Sequence, residues 1–65
     1  MRPTIVVRKN DTSYEIISKA KNALKVMEKN VMAGHVAVEA MKIKSIEKLK
    51  QYLSNYVNIR TEESI

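Results

Sequence analysis

Hydrophobic and polar positions divide the chain into short segments of different period. Thr4 to Arg8, "TIVVR", is β-branched and apolar, with Pro3 just ahead of it. A run this short and this branched predicts a buried strand. "KNDT" breaks the pattern, and Thr12-x-x-Glu15 has the form of a capping box at a helix start. From there Tyr14, Ile16, Ile17, Ala20, Ala23, Leu24, Met27 and Val31 recur at helical spacing. Glu15, Lys19, Lys21, Lys25 and Lys29 fall on the other face, and Asn30 or Gly34 is the expected left-handed terminator.

The next stretch, "VAVEAMKIKSIEKLK" (residues 36–50), admits two readings. One is a long helix running to Tyr56; the other is a strand, a basic turn and a second helix. Val36, Val38 and Ala40 alternate with Ala37 and Glu39 at strand period, and Gly34 precedes them. Ser45 can cap a helix in which Ile46, Leu49, Leu53 and Tyr56 share a face. A single helix would be apolar on nearly every side in its first turns, which demands burial all round. The split is therefore expected. Val57, Ile59 and Thr61, alternating with Asn58, Arg60 and Glu62, predict a last, half-exposed strand. The expected order is β-α-β-α-β: an α/β chain of the two-layer α+β type, with two helices on one face of a small mixed sheet. The open face of that sheet is the expected dimer surface.

Size and charge narrow the function. Sixty-five residues make one domain (1–65), and a domain this small buries only about 60% of its unfolded surface. No cysteine is present to form a disulfide or thiolate site, so a homodimer is expected. Lys+Arg 12 against Asp+Glu 7 gives a net charge of +5, which favours an anionic partner, nucleic acid before membrane. The first residues, "MRPTIVV", hold no signal-peptide core, and no run reaches membrane-span length. A soluble, cytoplasmic protein is expected. Catalysis has little to stand on. His35 is the lone histidine and reads as structural, while Glu62 and Glu63 are adjacent in a tail. One glycine cannot build a phosphate loop. The expectation is a non-enzyme without metal or cofactor.

The basic residues are better placed. With a middle strand, Arg8 and Lys9 occupy the turn into the first helix, and Lys42 and Lys44 the turn into the second. Both turns then share one end of the sheet, where helix amides also point, an arrangement suited to phosphate. Lys48, in the second helix's first turn, is a further candidate, although lysines on an outer helix face are ordinary. The tyrosines form no stacking platform for single strands, since Tyr52 and Tyr56 lie four apart on one helix. Salt-sensitive, backbone-directed binding to a duplex suits the chain better.

The run "TIVVRKNDTSYEIISKAKNALKVM", then "VAVEAMKIKSIEKLKQYLSNYVNIRTEES", resembles the Alba family of archaeal chromatin proteins. The resemblance implies a dimeric, nucleoid-associated, non-enzymatic coat of double-stranded DNA, with RNA as an additional ligand. It places the family's first-turn lysine on Lys9 and its second on Asn10, and the basic residues of the next turn on Lys42 and Lys44. The family's turn glycine and its phenylalanine have no counterpart here, and its final hairpin is expected to be cut short. Two other classes fit the same residues. In a ribbon-helix-helix repressor "TIVVRKN" pairs with its twin in the major groove. In a protein-interaction subunit the bare sheet face binds another protein and no nucleic acid.

Overall fold

A computed structural model describes residues 1–62. Five elements follow in the order β1 (Thr4–Arg8), α1 (Ser13–Val26), α2 (Asn30–Met41), α3 (Ile46–Leu53) and β2 (Asn58–Glu62). The mixed α+β class is as expected. The middle element is not: residues 36–40, expected as a strand, are the second half of α2, so the order is β-α-α-α-β.

β1 and β2 form a two-stranded parallel sheet in which Thr4 lies opposite Asn58, Val6 opposite Arg60 and Arg8 opposite Glu62. The Asn58 amide donates to the Pro3 carbonyl at 2.8 Å and starts the ladder. Parallel strands need a long crossover. Three helices supply it and return the chain to the end of the sheet where β1 began. The sheet is pure parallel, not mixed, and α1, α2 and α3 replace the two expected helices.

Local chemistry explains the helix ends. Thr12 Oγ1 accepts from the Glu15 amide at 3.2 Å, and Glu15 Oε1 accepts from the Thr12 amide at 2.9 Å, a complete capping box. At the other end of α1, Glu28 adopts φ 60, its amide donating to the Lys25 carbonyl and the Lys29 amide to Leu24. These two bonds make a Schellman turn with a glutamate in the left-handed position, where glycine is usual. Neither Asn30 nor Gly34 terminates the helix; both lie inside α2. Ser45 caps α3 as expected, its Oγ accepting from the Lys48 amide at 3.4 Å.

The core gathers between the helices and the inner face of the sheet. Ile5 and Val7 meet Ile16, Leu24, Leu49, Leu53 and Val57, all buried. α1 and α2 pack through small side chains: Ala20 from one, Ala33, Ala37 and Ala40 from the other. Those α2 residues, with Val36, are spaced i, i+3, i+4 and i+7, the period of one helix face. α2 lacks a side-chain N-cap and an acidic first turn, so packing on α1 holds it rather than intrinsic helix preference. Tyr52 and Tyr56 pack edge to face against the core, with ring centroids 5.4 Å apart.

Candidate nucleic-acid interface

Two turns hold the sequence-predicted basic residues. The first connects β1 to α1. Arg8 is the last residue of β1, while Lys9 and Asn10 form the exposed turn. Asp11 closes it: its amide donates to the Arg8 carbonyl at 3.0 Å, and its Oδ2 accepts from the Arg8 amide at 3.0 Å and from Lys19 Nζ at 2.6 Å. The Lys19 ammonium, then the Arg8 amide, hold the Asp11 carboxyl below its ordinary range. Lys19 also donates to the Val6 carbonyl at 2.9 Å, so its charge is committed to the turn and to the free edge of β1. Asp11 and Glu15 both sit at this end of α1, which opposes the convergence of helix amides and lysines on a phosphate expected there. Lys9 remains exposed, with no ion pair among the described residues.

The second turn joins α2 to α3. Lys42 caps the C-terminal end of α2 and pairs with Glu39 at 3.0 Å. That ammonium keeps the Glu39 carboxyl below its ordinary range. Lys44 lies in the loop and Lys48 in the first turn of α3, both exposed and without an ion pair among the described residues. A helix N-terminus favours an anion, although the Glu47 carboxylate shares this turn.

The expected relation between the turns loses its basis. No middle strand carries Lys42 and Lys44 to the end of the sheet. Instead α3 finishes at the amino end, where Ser54 accepts from Arg2 Nη1 at 3.1 Å. The start of α3 lies about 12 Å along the helix from that end. No hydrogen bond or ion pair joins the two turns among the described residues.

The open face of the sheet carries Thr4, Val6 and Arg8 from β1, in register with Asn58, Arg60 and Glu62 from β2. Apart from Val6 it is polar and charged. Glu62 belongs to β2 rather than to a tail, and Glu63 lies outside the described residues. His35 is exposed on α2. Among the described residues no three His, Cys, Asp or Glu side chains gather as a metal site, and no helix is long and apolar enough to cross a membrane. Sequence reasoning missed the Asp11–Lys19 pair. Their separation of eight residues spans a turn and two helical turns, so only folding brings them together.

Comparison with protein-family models, with curated proteins and with solved structures finds no match to this chain.

Proposed function

We propose that this protein is a small basic binding protein for double-stranded nucleic acid. It engages the phosphate backbone of duplex DNA, and of RNA as a secondary ligand, without reading sequence and without catalysis. One observation carries the reading. Lys9, Lys44 and Lys48 stand exposed and unpaired among the described residues, whereas both ion pairs neutralise other lysines, Lys19 and Lys42. On a chain of net charge +5, exposed unpaired cations on turns are the side chains that release counterions from a polyanion. Lys44 and Lys48, flanking the start of α3, form the better half of the site. Arg8, Lys9 and Asn10 form the other half, and Lys42 contributes less because Glu39 holds it.

This reading rests on charge placement and does not require membership of the Alba family, whose second strand falls on α2. The ribbon-helix-helix alternative pairs β1 with its twin as a ribbon of its own, whereas here β2 takes one edge of β1 and Lys19 donates to the Val6 carbonyl on the other. A cytoplasmic, nucleoid-associated setting follows from the proposed ligand.

Titration on random-sequence duplex DNA, duplex RNA and single strands at several salt concentrations tests the proposal. The expected result is duplex binding of equal strength on unrelated sequences, with log affinity falling by about 0.9 per phosphate neutralised for each tenfold rise in salt. Replacing Lys9, Lys44 and Lys48 by alanine flattens that slope on every sequence alike. Binding confined to one operator indicates a repressor. No shift at moderate salt indicates a protein-interaction module.

A further inference from the structure

The open face of the sheet carries cations that the turns do not account for. Ile5, Val7 and Ile59 turn inward to the core, so the alternate residues of both strands turn outward. The chain has three arginines. Arg2 is committed to the Ser54 carbonyl, while Arg8 and Arg60 both stand exposed on this face. The parallel register sets Arg60 opposite Val6 and Arg8 opposite Glu62, so the two arginines are diagonal neighbours. With strands about 4.8 Å apart and a rise of about 6.6 Å over two residues, their Cα atoms lie about 8 Å apart. Side chains as long as arginine can meet across that distance.

Both guanidinium groups are free. Among the described residues the ion pairs belong to Lys19 and Lys42 alone. Arg8 gives Asp11 its backbone amide, not its side chain. Glu62 is the one carboxylate on this face among the described residues, and it pairs with neither arginine. Thr4, Val6 and Asn58 are short, so the rest of the face stands low beside them.

We infer that Arg8 and Arg60 together grip a backbone phosphate of duplex nucleic acid, and that the interface runs from the β1–α1 turn across the open face of the sheet. The inference rests on the proposed duplex binding and adds to it Arg60, a residue that lies in neither basic turn. Charge identifies the occupant as an anion. Two free guanidinium groups face one carboxylate, and Lys9 adds a third cation next to Arg8 in the exposed turn. The cation type points to phosphate. A guanidinium presents a planar fork that binds two phosphate oxygens at once, which an ammonium cannot do.

The test is titration of random-sequence duplex DNA with the full chain and three variants whose folding is checked by circular dichroism. Arg60→Gln removes the charge, Arg60→Lys keeps it without the fork, and Lys25→Gln removes an equal charge from the exposed side of α1. Arg60→Gln should weaken binding about fivefold or more on every sequence and lower the salt slope by about 0.9, while Lys25→Gln leaves both nearly unchanged. Arg60→Lys should restore the slope but only part of the affinity. If the wild type binds with a salt slope that loss of Lys9, Lys44 and Lys48 flattens, yet Arg60→Gln matches Lys25→Gln, this inference alone is overturned. Full recovery of affinity by Arg60→Lys overturns the bidentate grip. A wild type that binds no duplex overturns the functional reading and this inference together.

Discussion

Glu28 is the one non-glycine residue with positive φ among the described residues. It holds φ 60 at the end of α1, and a side chain in the left-handed region costs about 1 kcal/mol or more. Glu28→Gly keeps both Schellman hydrogen bonds and relieves that cost. Urea unfolding should show a gain of about 0.5–1 kcal/mol, and the melting temperature should rise by several degrees. Asp11 supplies the other prediction at this scale. Its folded pKa lies below the ordinary 3.8 because Lys19 and the Arg8 amide hold the carboxylate. The stabilisation is therefore complete above the unfolded value and is lost as pH falls through the lower, folded value. Wild type should exceed Asp11→Asn in urea midpoint at neutral pH, and the difference should vanish in strong acid. A difference independent of pH would show that the carboxylate's charge plays no part.

Among the elements, α2 separates the sequence reading from the fold. Alternation of Val36, Val38 and Ala40 is genuine, but the same residues also satisfy helical spacing through Ala33, Val36, Ala37 and Ala40. In a run where nearly every position is apolar, both periods fit. The choice rests on what packs against the run, and here it is the alanine-lined face of α1. Ala37 discriminates between the two arrangements. A strand points it away from the core, whereas α2 buries it to 5% exposure. Ala37→Asp should therefore cost more than about 3 kcal/mol, or unfold the chain, through an unpaired buried charge. A loss below about 1 kcal/mol in urea unfolding would contradict the helix. The neighbouring elements were legible because their signals are local. "TIVVR" is too short and too branched for a helix, Thr12 and Glu15 cap α1, and Ser45 caps α3.

For the whole molecule, the proposed duplex binding rests on which lysines are free of carboxylates. Lysines committed to carboxylates release fewer counterions than free ones. Lys44→Ala should therefore lower duplex affinity and salt slope more than Lys42→Ala, measured under identical salt. Equal losses would mean that the Glu39 pair opens on binding. The sequence alone determined the mixed α and β content, both outer strands, the two capped helix starts and the basic excess, because each depends on neighbours within a few positions. It also carried the physical objection to a helix over residues 36–40, that such a helix has too much apolar surface for a small domain to bury. That surplus is present and lies exposed on α2. Tertiary structure alone decided the third helix, the parallel pairing of the chain ends, and which lysines are spent on carboxylates. The first two depend on contacts between segments distant in sequence and the lysine pairs on helix and turn geometry, and where both faces of a segment are apolar, periodicity cannot say which face the fold will cover.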